Sequence, residues 1–494
     1  MAAGFRPGCR APAVCPALAV AAGHAVPFTA RGRGHSVIGP AYGPSVRPAR
    51  PARRVRPPAA EHQEGPMADT APVTAAVAAE DPRAAGAFPP APGGRSLTVG
   101  VEEEFLILDG ETGRPVPRAE AVLHAARPGP ALPGDTQLKR ELLACQVEVA
   151  SGVCTGLDAL AHQLSAGRRR LADAARQTGL RTVASGTPVL AGPYGALSEG
   201  PRYEDISGIY AGVVADYEAC GCHVHVGVPD RATAVEVVNH LRPWLPTLLA
   251  LSANSPFDDG RDTGYASWRM VLQSRFPGSG VPPHLPSPAA YDAQLQRLVD
   301  CGTLADVRQS FWLARPSPCF PTVEFRAADT AATVDEAVLQ AALSRALVGT
   351  ALAAIGEGRE AAPVDGQVAA AAVWAASRHG LRGPGVHPRL EREVPALTLV
   401  QELVAHVSPA LEESGDLELV RGLLAAVAEL GTGTERQRAA AASAPHEGPR
   451  AVVGHLVRET LRTPSSQRAA ADAAPASAPS GAAGTRPGSA RRAS

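Results

Sequence analysis

The stretch Thr98–Gly110, TVGVEEEFLILDG, places Glu102, Glu103 and Glu104 side by side in an otherwise apolar segment. Its β-branched and aromatic residues predict a strand, in which successive side chains point to opposite faces. Glu102 and Glu104 then share one face, while Glu103 points to the other face among apolar side chains. Two like charges this close repel each other unless a cation lies between them. The pattern indicates either a metal-binding pair of carboxylates or an exposed acidic face on an edge strand.

Two further stretches alternate in the same way. HVHVG places His223 and His225 on one face of a predicted strand, as a grip for a metal or phosphate or as a hydrogen-bonded pair. TVEFR places Glu324 and Arg326 on one face. Such a pair is either a plain ion pair or a metal ligand beside a guanidinium that binds phosphoryl oxygens.

Other chemically active residues lie in less regular segments. KRELLACQVEVASG, which reads as strand or helix, contributes Glu141 and Glu148. The polar, glycine-bearing segment SANSPFDDGRDTGYASWRM contains Tyr265, Ser267 and Arg269, and is either a substrate-contacting loop or an ordinary solvated loop.

The order of the elements indicates the fold class. Strand patterns mix with long helical patterns without regular βαβ alternation, which favours an α+β fold with an antiparallel sheet. Residues 96–462 are expected to form one folded domain. The Ala/Pro/Arg-rich segment 1–95 and the segment 463–494 are expected to be disordered, with Met1 or Met67 as the start of the chain.

Composition excludes several classes of function. A net charge of −1 gives no reason to expect a nucleic-acid or membrane partner, and no apolar run is long enough to span a bilayer. The only lysine is Lys139, which Arg140 follows, so a P-loop with its Lys-Ser/Thr ending is excluded. The eight cysteines form no CxxC pair, which favours reduced thiols in a cytoplasmic protein.

Six motifs together resemble a known family. GVEEEFLILD, ELLACQVEVASGVC, GCHVHVGVPD, LLALSANSPFDDGRDTGYASWR, RPSPCFPTVEFRAAD and GTGTERQ occur in the order found in carboxylate–amine ligases of the glutamate–cysteine ligase type 2 family. The resemblance implies a fold similar to the glutamine synthetase catalytic domain. In such a fold a curved antiparallel sheet has helices behind it and binds ATP with Mg²⁺ or Mn²⁺ on its concave face.

The resemblance also implies roles for individual residues, to which we add the loop residues above. The expected metal ligands are Glu102, Glu104, Glu148, His223 and Glu324; the expected catalytic residues are Arg326, Arg315 and Arg269; the expected cofactor-binding residues are Tyr265, Ser267 and Arg378. The implied reaction uses ATP to phosphorylate the γ-carboxylate of glutamate, and the amine of cysteine then attacks the acyl phosphate. The expected partners are therefore small molecules, namely ATP, glutamate and cysteine or another amine, and the enzyme could be a homodimer.

The chain departs from the family pattern at three positions, where Leu313, Ala372 and Ala375 replace an Asp, an Asn and an Arg. These losses leave room for an inactive, ligase-like binding protein. A metal-dependent amidohydrolase is the other alternative, because HxH also occurs among its zinc ligands.

Overall fold

The computed structural model describes residues 97–192 and 196–465. The predicted leader 1–95 and residues 466–494 of the predicted tail lie outside this part of the chain, so the predicted domain boundaries stay predictions. The strands of the described part are β1 Val99–Asp109, β2 Gln137–Arg140, β3 Gln146–Ala150, β4 Leu180–Val183, β5 Gly221–Gly227, β6 Phe257–Asp258, β7 Arg261–Asp262, β8 Ala314–Pro316, β9 Thr322–Asp329, β10 Pro384–His387 and β11 Arg392–Pro395.

Helices make up most of the remaining described structure. They are α1 Ala119–Ala126, α2 Leu157–Gln177, α3 Pro201–Tyr210, α4 Gly212–Ala215, α5 Arg231–Leu241, α6 Leu245–Ser252, α7 Trp268–Gln273, α8 Pro288–Asp300, α9 Val334–Gly356, α10 Gly366–His379, α11 Ala396–Ser414, α12 Leu417–Leu430, α13 Gly433–Ser443 and α14 Pro449–Thr460. The interruption between α5 and α6 falls at Pro243, which cannot donate a helical hydrogen bond.

One seven-stranded sheet organises the fold. Its order is β2-β3-β1-β5-β9-β8, with β4 pairing with the far end of β1, and every pair in it is antiparallel. The predicted α+β class with an antiparallel sheet is confirmed. The segment that reads as strand or helix forms both β2 and β3, which pair with each other and fix Glu148 of β3 beside β1.

The odd-numbered face of β1 is buried. Val99, Val101, Phe105 and Ile107 pack into two apolar clusters that α2, α5, α6 and α9 help to form. Among the described helices, α9 has the length and composition that would suffice to cross a membrane, but 72% of its most apolar window is buried inside the fold. It is the central helix of the apolar layer behind the sheet.

Glu103 is the exception on this buried face. Arg168 of α2 donates to both of its carboxylate oxygens, with Nε at 3.0 Å from Oε2. The same guanidinium donates to the carbonyl oxygens of Ala331, Ala332 and Thr460, at 2.8, 3.3 and 3.2 Å. The charge of Glu103 is therefore compensated internally, and the pair ties β1 to α2, α14 and the connection before α9.

The even-numbered face of β1 divides into two halves. Leu106 and Leu108 pack under α14, against side chains such as Val452 and Leu456. The other half, which carries Glu102 and Glu104, is lined by polar side chains of the neighbouring strands. This polar half is the region that the sequence singled out.

Candidate functional site

Strand register brings the two predicted metal-binding glutamates into contact with the other motifs. Glu102 lies opposite His223 of β5, and Glu104 lies opposite Glu148 of β3. His225 of the same β5 face lies opposite Glu324 of β9. Residues that are far apart in sequence thus form one polar face.

The histidines surround Glu102. Glu102 Oε2 lies 3.7 Å from His223 Nδ1 and 3.5 Å from His225 Nε2, while His223 Nε2 lies 3.9 Å from Glu104 Oε1. Burial by itself would raise the pKa of Glu102, but the two imidazoles outweigh it and hold that pKa well below its usual range. Glu102 is therefore ionised at neutral pH. His225 therefore borders the site, although it was not among the site residues assigned from the sequence.

A second acidic group forms around β3, which lies between β2 and β1 in the sheet. Lys139 Nζ lies 3.0 Å from Glu148 Oε1 and 3.8 Å from Glu102 Oε1. Burial raises the pKa of Glu148, and the nearby charge of Glu102 raises it further, although Glu141 and Lys139 partly oppose the shift. The single Lys139 ammonium therefore does not offset burial and carboxylate repulsion together.

Glu141 completes this acidic group, although sequence reasoning did not assign it to the site. Burial, together with the charges of Glu104 and Glu148, raises the pKa of Glu141 well above its usual range. Glu141 therefore holds its proton to a higher pH than an ordinary glutamate does. Glu141 lies in the turn between β2 and β3, where the sequence has no periodic pattern. Its position in the site becomes visible only when β2 pairs with β3 and β3 pairs with β1.

Glu324 is held by two arginines. Arg315 donates from Nε at 2.8 Å and from Nη2 at 3.2 Å, and Arg326 Nη1 donates to Glu324 Oε1. Burial would raise the pKa of Glu324, but the guanidinium groups hold it well below its usual range. Arg326 Nε is buried and has no hydrogen-bond partner among the described residues. An unpaired buried donor of this kind suits an incoming oxyanion.

Arg269 approaches the site from α7. A Cβ on Gly221 would come within 2.5 Å of Arg269 Nη2 and 3.1 Å of His223 Nε2, so the glycine is what allows this close approach. Arg269 donates weakly to the carbonyl oxygens of Ala327 and Arg326 at 3.4 and 3.3 Å. The structure thus places Arg269 beside the predicted metal ligand His223.

Ser267 serves a structural network. Its hydroxyl donates to Asp329 Oδ1 at 2.7 Å and accepts from the Met270 amide at 3.2 Å, which caps α7. Ser255 donates to the other Asp329 oxygen at 2.7 Å. These bonds fix the polar loop to the end of β9, and they engage the Ser267 hydroxyl that we assigned to the cofactor.

Tyr265 and Arg378 meet in a neighbouring cluster. The Arg378 guanidinium lies over the Tyr265 ring, 5.4 Å from its centroid, and donates to the Gly264 carbonyl. Arg438, just after the GTGTERQ motif, donates to Asp262 with two bonds of 2.8 Å and to the Tyr265 carbonyl at 2.9 Å. The structure brings Tyr265 and Arg378 together, but it records no contact between either residue and the acidic groups.

The chemistry of the polar face fits divalent cations. Within the described ranges, no three His, Cys, Asp or Glu side chains already converge into a closed metal cage. The acidic groups nevertheless offer carboxylate oxygens and imidazole nitrogens, and burial together with neighbouring negative charge raises the pKa of Glu141 and Glu148. Carboxylate oxygens are the ligands that Mg²⁺ and Mn²⁺ prefer. A bound cation would reduce the repulsion between these neighbouring carboxylates.

The three departures from the family pattern lie in the interior. Leu313 is fully buried in the main apolar cluster, and Ala372 and Ala375 are buried on α10. Trp374, between them, is 55% exposed. None of the three residues belongs to the acidic groups described above.

Comparison with known proteins shows which family the chain belongs to. The profile of the family described as glutamate–cysteine ligase family 2 (GCS2) matches residues 98–455. The chain belongs to this family. A protein of Saccharopolyspora erythraea that carries the provisional name glutamate–cysteine ligase 2-2 is 59% identical over 372 residues, or 75% of this chain and 94% of that protein. A Salinispora arenicola protein, provisionally named glutamate–cysteine ligase 2, is 44% identical over 369 residues, or 75% and 96%.

A solved structure shows that the fold is shared more widely. The glutamate–cysteine ligase of Francisella tularensis, crystallised in complex with AMP, superposes with a TM-score of 0.56 at 12% identity, covering 76% of this chain and 92% of that one. At this identity the likeness concerns the fold alone. Membership of the glutamate–cysteine ligase family 2 assigns the chain to the ATP-dependent carboxylate–amine ligases.

Proposed function

We propose that the enzyme uses ATP to activate the γ-carboxylate of glutamate as an acyl phosphate, which the amine of cysteine then attacks. The observation that carries the proposal is the single polar face on which β1, β3, β5 and β9 present carboxylates, imidazoles and arginines together. Phosphoryl transfer needs such an arrangement, because its catalysis consists almost entirely of positioning and charge stabilisation.

Glu102, Glu104, Glu148 and His223 would hold Mg²⁺ or Mn²⁺, with Glu141 as a further oxygen donor once it has lost its proton. Bound there, the cations would neutralise the phosphate oxygens of ATP. Glu324, which we also assign to metal, accepts hydrogen bonds from arginines at both of its oxygens. It would have to share one of them with the cation.

The arginines would bind the transferring group or the substrate carboxylate. Arg326 has the unpaired buried Nε donor, and its planar guanidinium matches two oxygens of a phosphoryl or carboxylate group. Arg315 and Arg269 would complete the positive side of the site. Tyr265 and Arg378 remain our candidates for nucleotide contact, through an aromatic ring and a guanidinium that already stack on each other.

No observation on this face favours the amidohydrolase or the inactive binding protein. The intact acidic groups and arginines favour an active ligase. The true amine acceptor, a homodimeric state and a cytoplasmic location stay predictions, and screening amino acids and amines for ADP release identifies the acceptor.

The test is ADP release by the full chain with ATP, Mg²⁺, glutamate and cysteine, each omitted in turn. We expect turnover that needs ATP, metal and both amino acids. Glu102→Gln should reduce it at least about a hundred-fold, because losing a ligand carboxylate weakens binding of the cation that would neutralise the phosphate oxygens. Release of ammonia or a cleaved amide without ATP would instead indicate a hydrolase. Binding of ATP without turnover of any amine would indicate an inactive relative.

A further inference from the structure

Lys139, the only lysine of the chain, lies beside the acidic group. It is the only lysine among 47 Lys and Arg residues, and it lies on β2, in register with Glu148 of the acidic group. Its ammonium lies 3.0 Å from Glu148 Oε1 and 3.8 Å from Glu102 Oε1, so it contacts two residues that we propose as metal ligands. No other Lys or Arg of the described chain forms an ion pair with either of these glutamates.

We propose that Lys139 is an intramolecular counter-ion that competes with divalent metal for Glu102 and Glu148. Without metal, its ammonium compensates the carboxylates that would otherwise repel one another across β1 and β3. When metal binds, the ammonium must give up these contacts and then repels the cation. Lys139 would therefore stabilise the metal-free enzyme and weaken metal binding. This inference rests on the metal site of the proposed function.

The surroundings allow such a movement. The Lys139 side chain is 40% exposed, so its ammonium can move from the carboxylates into solvent. A lysine carries a compact charge on a flexible stem, so it can leave the carboxylates without disturbing the strand. Arg170 is fixed by the carbonyl oxygens of Ala126 and Pro130, at 3.2 and 2.6 Å, and so is not free to replace it.

Arg140 provides a matched control. It is the next residue on β2, so its side chain points to the other face, where Nε lies 3.0 Å from Glu120 Oε1. Lys139→Met and Arg140→Met each remove one positive charge from the same strand, but only the first removes it from the acidic group. Lys139→Arg keeps the charge and tests whether charge, rather than shape, is what matters.

The experiment titrates the full-length wild type and the three variants with Mn²⁺ alone, by calorimetry, and melts each protein with and without saturating Mn²⁺. We expect Lys139→Met to bind Mn²⁺ about ten-fold more tightly, the size given by repulsion between one charge and a divalent ion about 5 Å apart in a solvated setting. Its metal-free melting temperature should fall by about 2–4 °C and recover with Mn²⁺. Arg140→Met and Lys139→Arg should bind Mn²⁺ within about two-fold of wild type.

The outcomes separate the two proposals. Unchanged or weaker Mn²⁺ binding in Lys139→Met, beside clear binding by the wild type, overturns the counter-ion role and leaves the metal site intact. If the wild type binds no Mn²⁺ at millimolar concentration, the metal site fails and the counter-ion role fails with it. Should Lys139→Met not fold, Lys139→Gln takes its place, with the same expected tightening and the same refutation.

Discussion

Replacing Glu103 by Gln should destabilise the enzyme while leaving its chemistry intact. The side chains of Arg168 and Glu103 are 1% and 0% exposed, so no water can replace a lost bond between them. Removing one partner of a buried ion pair costs about 3–5 kcal/mol, because the other charge stays buried without compensation. Gln keeps one acceptor oxygen for Arg168, so we expect the lower end of this range, about 3 kcal/mol.

The assay is urea unfolding followed by circular dichroism, beside steady-state turnover on the same preparation. With an m-value of about 3 kcal/mol/M or more, the unfolding midpoint should fall by up to about 1 M. Glu102→Gln is the matched control, since it makes the same chemical change one residue away on the polar face, where the side chain is 20% exposed. It should shift the midpoint by less than half as much and abolish turnover.

A double-mutant cycle with Arg168→Met tests the pairing directly. Arg168→Met alone should cost more than Glu103→Gln, because it also removes three hydrogen bonds to carbonyl oxygens. The double variant should be less destabilised than the sum of the two, with a coupling energy of about 1–3 kcal/mol. If Glu103→Gln melts like the wild type but loses turnover, Glu103 belongs to the site and the division of the three glutamates by face is wrong.

Three further predictions concern the site and the leader. Arg326→Lys should lower kcat/KM by about ten- to a hundred-fold with a normal melt, because a charged buried hydrogen bond is worth roughly 1.5–3 kcal/mol; normal kinetics would remove Arg326 from the site. Because the pKa of Glu141 is raised in the folded state, the folded protein binds this proton more tightly than the unfolded chain does. The contribution of Glu141 to the free energy of unfolding therefore falls as the pH rises above its ordinary pKa of 4.5. Glu141→Gln should therefore flatten the decline of the metal-free melting temperature as the pH rises above 4.5, and an unchanged pH profile would contradict the raised pKa of Glu141. Deleting residues 1–66 should leave melting and turnover unchanged, since the family match begins at residue 98, and an insoluble or inactive product would contradict the predicted domain boundary.

The local pattern of the sequence was enough to separate the three adjacent glutamates. Because side chains alternate along any strand, Glu102 and Glu104 share a face whatever the rest of the fold does, and the same holds for His223 with His225 and for Glu324 with Arg326. The antiparallel α+β class followed from the order of the strands and helices. The family followed from six motifs in the right order.

Other features depend on contacts that no local pattern encodes. Glu103 meets Arg168 across 65 residues, and Ser267 meets Asp329 across 62, so the structural role of each becomes visible only when the chain has folded. Glu141 joins the acidic group because β2 pairs with β3 and β3 pairs with β1, although the turn that carries it has no periodicity. Periodicity fixes the face on which a side chain lies, whereas strand order and register, which arise from packing between distant segments, decide which side chains meet there.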